Sequence, residues 1–249
     1  MINQFHSVGL EFERVAAVDG RSLSAEDLRK HSRQRLDGIQ WAPSEIGCFL
    51  SHRRCWQIVA DGTAPFAAIF EDDLHLDVEV GHLLSTSSWI PAGVEIIKLE
   101  APFEERHQKA AKNAGRKHRI FSSGNPWNAT GAYVISRDLA KRLAQVEHLN
   151  CPVDQFLFDN TLGFRGFQAH EIRPGICIQA SERVGYTGPL ASVISQDRLP
   201  LIVPKAKVRR SLVVKIAREF ARPIRRFHAR LLTKFRELRA PLVEFPKRG

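Results

Sequence analysis

Three consecutive acids, Glu71, Asp72 and Asp73, follow the apolar run from Phe66 to Phe70. Carboxylates packed this closely repel one another, so a cation or a bound proton is needed to offset the charge. A hard divalent cation, Mg²⁺ or Mn²⁺, takes oxygen ligands, usually one or two carboxylates completed by water and substrate phosphates. Residues two apart point the same way in extended backbone. Glu71 and Asp73 are therefore the expected metal ligands, and Asp72 is set apart to contact a ribose or pack against a loop. On the triplet alone, a solvated acidic turn capping the next element is an equal reading.

Other residues offer weaker chemistry. In Cys151-Pro152-Val153-Asp154, proline suits the first turn of a helix and places Asp154 where helix N–H groups favour a carboxylate. An aspartate there serves either as a base or as a stabiliser of the helix terminus. Ser51 and His52 are adjacent on a predicted helix, where neighbours do not face each other, and no G-x-S-x-G turn occurs. A serine hydrolase is therefore not the expected reading. Lys98 and Glu100 end the run VEIIKLE two residues apart, which reads simply as a surface ion pair.

These residues need a framework to hold them. The run SEIGCFLSHRRCWQIVADG opens like a helix at Ser44, carries Ile46, Phe49, Leu50, Trp56 and Val59 on one broad face, and stops at Asp61-Gly62. Before it, FERVAAV reads as a strand and Ser24 as the N-cap of a short helix with Asp27 three residues on. After it come the strand-like runs FAAIF, VEIIKLE and NATGAYVIS, then a helix from Arg137 to Val146. The polar stretch FEERHQKAAKNAGRKHR reads as a mobile excursion. Strand, helix and strand in this order define an α/β fold, with ligands beyond the carboxyl ends of the strands.

Charge divides the chain. Of 37 basic and 27 acidic residues, 15 basic and three acidic ones fall within 205–249, so that tail carries +12 and the rest −2. Its apolar residues Ile216, Phe220, Ile224, Phe227, Leu231, Phe235 and Leu238 recur every three or four positions, which forms a helical stripe interrupted at Pro223. The expected domains are 1–204 and a basic amphipathic tail, 205–249. A basic helix with Phe and Leu on its apolar face suits an anionic membrane surface. Without a stacking platform or a base-reading motif, nucleic acid is not the expected partner. No signal peptide is evident at the N-terminus, and four dispersed cysteines without a C-x-x-C pair suit a reducing cytosol as small buried residues.

Taken in order, AVDG, SEIGCFLSHRRCW, FAAIFEDD, IIKLE, TGAYVISRDLAKRL and PVDQFLFD resemble glycosyltransferase family 25. That family includes lipopolysaccharide and lipooligosaccharide galactosyltransferases and collagen galactosyltransferases. The likeness runs from Phe12 to Ile194, with GICIQ and SVISQ fitting more loosely. It implies a GT-A-like nucleotide-sugar fold, a central mixed sheet flanked by helices. It also implies inverting transfer of a hexose, usually galactose from a UDP-sugar, to an acceptor hydroxyl of a glycolipid or oligosaccharide. Glu71-Asp72-Asp73 stands where the family has its variant of the D-x-D metal motif. The resemblance makes Asp154 the expected base, with Glu100 second. Glu45, Ser51 and His52 match a block that lines the donor or acceptor site, and Asn128, Thr130 and Gly131 a turn that lets backbone approach the sugar.

Family members usually carry a strand and an Arg-rich helix ahead of the FERVAAVDG equivalent. Here Met1 falls about a strand and most of a helix later. Either the start lies upstream or part of the donor site is lost. The second case makes the chain a degenerate transferase acting as a membrane-associated binding or scaffold protein. The first makes it an active enzyme, cytoplasmic and peripheral on the inner membrane.

Overall fold

Burial on both faces of one sheet accounts for the apolar runs of this chain. In the computed structural model, residues 1–100, 112–114, 118–122, 129–159 and 166–180 are described. Helices α1 (Ile2–Ser7), α2 (Ala25–His31) and α3 (Pro43–Asp61) come first, followed by strands β1 (Phe66–Phe70) and β2 (Leu74–Leu76) and helix α4 (Glu79–Leu84). Next are β3 (Ile96–Lys98), β4 (Lys112–Ala114), β5 (His118–Ser122) and β6 (Ala132–Ser136). Helices α5 (Arg137–Ala144) and α6 (Val153–Phe158) and strands β7 (Ala169–Arg173) and β8 (Cys177–Gln179) complete the order.

Six strands form one mixed sheet in the order β1-β6-β3-β7-β5-β4, and β2 pairs with β8 in a second, two-stranded sheet. β3 and β7 are parallel, while β6 runs antiparallel to both β1 and β3. The carboxyl ends of β1, β3 and β7 therefore share one edge. All five residues of β6 are buried. Its side chains alternate between two cores, as the period of a strand requires. Tyr133 and Ile135 join Phe49, Trp56, Leu139 and Phe158 of the α3, α5 and α6 layer. Ala132 and Val134 join Leu74, Val80, Ile97 and Ile172 on the other side. This is the expected α/β arrangement, a central mixed sheet flanked by helices.

The α3 helix begins where expected and has a built start. Pro43 occupies its first turn, and Ala42 N–H donates to Glu45 Oε2 at 2.9 Å. Arg35 Nη1 donates to both Glu45 oxygens, at 2.8 and 2.7 Å, in a pair that is almost wholly buried. The helix ends at Asp61, with Gly62 at φ −73°, so this glycine stops it without the left-handed turn. Ser24 caps α2, accepting from Asp27 N–H at 3.0 Å, as expected.

Three expectations are corrected. FERVAAV is not a strand: residues 11–19 are irregular and largely exposed. With no face to bury, they dock on α3 instead, Val18 N–H donating to Ser51 Oγ at 2.9 Å and Arg54 to Ala16 O at 2.9 Å. Gly47 permits this docking, because a Cβ there would stand 2.6 Å from Val18 O and Gly20 N. The polar excursion carries β4 and the start of β5, which extend the sheet beyond β7. Cys151 and Cys177 are buried, but Cys48 and Cys55 are only partly so. No helix of the described residues is long and apolar enough to cross a membrane. Asn128 and the tail 205–249 lie outside the described residues.

Arg35 supplies the cation that makes a buried Glu45 tolerable. Replacing it, Arg35→Met, is expected to lower unfolding free energy by about 3 kcal/mol or more, since one partner of a buried pair is removed. Urea denaturation measures this as a fall in midpoint at unchanged slope.

Candidate active site

On the α3 side of the sheet, the register places Ile69, Tyr133, Lys98 and Glu171 side by side across β1, β6, β3 and β7. The row changes from apolar to charged as it crosses the sheet near the shared carboxyl edge. One step beyond it, Glu71 follows β1 and Glu100 follows β3, with Gly131 at the entrance of β6. Glu71 N–H donates to Gly131 O at 2.7 Å. A Cβ on Gly131 would stand 1.8 Å from Glu100 Oε1, so only glycine lets that carboxylate lie against the backbone.

Glu71 is held by donors from three other parts of the chain. Thr130 Oγ1 donates to Oε1 at 2.7 Å, His52 Nε2 to Oε1 at 3.2 Å and Gln179 Nε2 to Oε2 at 3.4 Å. Burial raises its affinity for a proton, but the hydrogen bond and charge of His52, then Thr130 and Lys98, outweigh burial and leave the carboxyl below its ordinary range. The ionised carboxylate only accepts, so His52 carries its proton on Nε2. Nδ1 of the same ring is hydrogen-bonded to the Tyr133 hydroxyl at 2.9 Å, and Trp56 Nε1–H donates to that hydroxyl at 2.9 Å. A chain of hydrogen bonds thus runs from the core, through Trp56, Tyr133 and His52, and ends on Glu71.

Asp73 contrasts with it. The backbone turns at Asp72 and Asp73 before β2 begins, so the triplet is not extended throughout. Asp72 is exposed, while Glu71 and Asp73 are partly buried. Ala180 N–H donates to Asp73 O at 2.7 Å and anchors the turn to the end of β8. Oδ1 of Asp73 is buried without a hydrogen-bond partner among the described residues. Burial, then the charges of Glu71 and Asp72, push its carboxyl up to about 6. An oxygen that lacks a donor yet must carry charge is suited to a hard cation.

Lys98 and Glu100 do pair, with Nζ 3.4 Å from Oε2, but inside the protein, their side chains only 3% and 2% exposed. Nζ also donates to Ala129 O and lies 4.7 Å from the Phe158 ring centroid. Burial lowers the Lys98 affinity for its proton despite the opposing charges of Glu100, Asp154 and Glu171. Asp154 is on the first turn of α6, half-buried, with Gln155 N–H donating to its Oδ1 at 2.8 Å.

The expected residues therefore fall into two groups. Glu71, Asp73, His52, Thr130, Gly131, Glu100 and Asp154 gather around the carboxyl edge. Glu45 and Ser51 are turned to structure: Glu45 binds Arg35 and Ala42, and Ser51 Oγ donates to Gly47 O at 2.7 Å while accepting from Val18. Tyr133, Trp56, Gln179 and Cys48 were not anticipated. Cys48 and His52 are four apart on α3, a spacing that puts both on one face. Among the described residues, one trio of side chains could hold a metal ion together: Cys48, His52 and Glu71, whose ligand atoms lie within 4.8 Å of one another.

A mixed sheet with acids and a buried lysine gathered at its carboxyl edge defines an α/β protein whose candidate site lies where such sheets commonly bind ligands. Residues 1–157 match the family described as glycosyltransferase family 25 (LPS biosynthesis protein), and the chain belongs to that family. It is similar to a putative glycosyltransferase of Haemophilus influenzae, 28% identical over 54% of this chain and 48% of that protein. It is also similar to the lacto-N-neotetraose biosynthesis glycosyltransferase LgtB of Neisseria gonorrhoeae, 26% identical over 78% of this chain and 75% of LgtB. The lipooligosaccharide biosynthesis protein lic2B of Haemophilus influenzae is 27% identical over 75% of this chain and 73% of lic2B. The chain thus spans about half the length of the first relative and about three quarters of the other two.

The Asp73 carboxyl has a stability consequence with a definite sign. Between its ordinary value of 3.8 and about 6, the unfolded chain releases a proton that the folded chain still holds, so stability falls as pH rises through this window. Asp73→Asn removes the penalty. Its melting temperature is expected to exceed that of the parent at pH 7.5, with the difference closing toward pH 4, as measured by calorimetry without added cations.

Proposed function

We propose that this chain transfers a hexose, galactose, from a UDP-sugar to a hydroxyl of a lipopolysaccharide- or lipooligosaccharide-type acceptor, with inversion and with a divalent cation. Membership of glycosyltransferase family 25 and the likeness to LgtB and lic2B, named for lacto-N-neotetraose and lipooligosaccharide biosynthesis, support the reaction class and the acceptor. The observation that carries the site is the pair of unlike carboxylates after β1, Glu71 fixed by donors and Asp73 with a buried, unpartnered oxygen.

Glu71 and Asp73 are the residues that would hold Mn²⁺ or Mg²⁺, which when bound stabilises charge on the departing diphosphate as a Lewis acid. Asp72, being exposed, is free to meet the ribose. Thr130 keeps Glu71 oriented, and the side-chain-free Gly131 leaves room beside Glu100. The acceptor hydroxyl attacks the anomeric carbon from the face opposite the diphosphate. A new carbon–oxygen bond forms as the anomeric carbon–phosphate oxygen bond breaks, and UDP leaves with that electron pair. Asp154 takes the acceptor proton. It is the more open of the two expected bases, whereas Glu100 is buried against Lys98 and stabilises that charge.

Turnover of UDP-galactose with Mn²⁺ and a lipooligosaccharide acceptor tests the reading. Asp154→Asn is expected to reduce kcat by about 10²- to 10⁴-fold with donor KM little changed, as for loss of a general base. Equal turnover by Asp73→Asn and the parent would remove the cation role. Failure of the parent to bind UDP in calorimetry would favour a binding or scaffold protein.

The same reading places the enzyme in the cytoplasm, peripheral on the inner membrane, where the basic stripe of 205–249 meets anionic lipid. Sedimentation with anionic vesicles is expected to fall sharply when 205–249 is deleted, and unchanged binding would refute the anchor.

A further inference from the structure

The acid that ends β1 faces two different sets of donors. Asp73 offers oxygen on one side, and α3 offers sulfur and nitrogen on the other. Cys48 and His52 are one helical turn apart, so their side chains project from the same face. That face meets Glu71 directly, since His52 Nε2 is 3.2 Å from Glu71 Oε1 and the three ligand atoms lie within 4.8 Å of one another. Thiolate, imidazole and carboxylate together form a borderline-soft set that prefers Zn²⁺ to Mg²⁺ or Mn²⁺. Tetrahedral Zn²⁺ at its usual bond lengths of about 2.0–2.3 Å holds its ligands about 3.5 Å apart, so the trio, now within 4.8 Å, closes on loading.

We propose that Cys48, His52 and Glu71 form a site for a thiophilic divalent cation, Zn²⁺, distinct from the Glu71–Asp73 oxygen pair and in competition with it for Glu71. Three protein ligands would leave a fourth position for water or a ligand. The imidazole already has the outer support that metal-ligating histidines require, the Tyr133 hydroxyl at Nδ1 backed by Trp56. On loading, the Cys48 thiol loses its proton to solvent. His52 would bind through Nε2 with its remaining ring proton on Nδ1, directed at Tyr133 Oη, and the Tyr133 hydroxyl proton turned away from the ring. The cation would stand between Nε2 and Glu71, and the protons it displaces leave to solvent. Because Glu71 cannot serve both sets fully, Zn²⁺ at this site opposes the hard cation.

Cobalt reports on the trio without any sugar nucleotide, so its outcome is separate from that of the transferase reading. Full-length protein titrated with Co²⁺ is expected to develop a thiolate-to-cobalt charge-transfer band that Zn²⁺ bleaches. Cys48→Ser is expected to abolish the band and weaken Zn²⁺ binding at least about tenfold. Cys55→Ser, on the same helix, is expected to retain it, as is Asp73→Asn, which leaves the trio intact. Unchanged circular dichroism of Cys48→Ser separates loss of a ligand from loss of fold. Absence of the band in the parent, or its survival in Cys48→Ser, would overturn the site.

Discussion

One carboxylate, that of Glu71, joins four separate parts of the chain. It follows β1, receives a hydroxyl from the entrance of β6, an imidazole N–H from α3 and an amide from β8. Such a group stays ionised only because its donors arrive together, and they arrive together only when the sheet and α3 are correctly packed. The link runs deeper through Tyr133, a fully buried phenol whose oxygen needs partners and finds them in Trp56 and His52. The polar site is consequently an extension of the hydrophobic core. A change in core packing at Trp56 would be felt at Glu71 through three hydrogen bonds.

This dependence explains how adjacent acids come to behave oppositely. Glu71 and Asp73 share a turn and repel each other, but among the described residues Glu71 has side-chain donors from three other parts of the chain, whereas Oδ1 of Asp73 is buried without one. It is held below its ordinary range while Asp73 is pushed up to about 6. Pairs of titratable groups driven apart by their surroundings mark functional sites. Lys98 follows the same logic from the other side, a buried ammonium balanced by Glu100, Asp154 and Glu171. With both signs of charge present in one buried row, the edge of the sheet is polar without being uniformly acidic.

The legible parts of the sequence were those governed by local pattern. FAAIF, AYVIS and the α3 face announced themselves because burial on both sides of a sheet, or along one side of a long helix, leaves runs or periods that composition cannot hide. FERVAAV misled because its apolar residues imitate a strand, yet its backbone bonds go to Ser51 and Arg54 on α3. VEIIKLE was recognised as a strand, but its terminal Lys98 and Glu100 looked like surface charges. Only the position of β3 between β6 and β7 puts them inside. The acid triplet could be found by its density of charge alone. The donors to Glu71 could not, since they lie 19, 59 and 108 residues away and meet it only through the fold. Tyr133 and Trp56 read as bulk in an apolar run, and nothing local reveals that their polar atoms face each other.

The position of Glu71 between α3 and the β1–β2 turn has a consequence for metal selectivity. A purely oxygen site discriminates poorly against transition metals, because affinity for most ligand sets rises from Mn²⁺ toward Zn²⁺. Selectivity must then come from geometry and from the donors available to each ion. Here the softer donors, Cys48 and His52, are fixed on one rigid helix face, whereas Asp73 belongs to a turn anchored by a single backbone hydrogen bond to Ala180. On both proposals, a hard ion would draw Glu71 toward the turn and a soft ion toward the helix. The carboxylate shared by the two sets would then give the carboxyl edge two mutually exclusive arrangements, with the metal in the surroundings deciding between them.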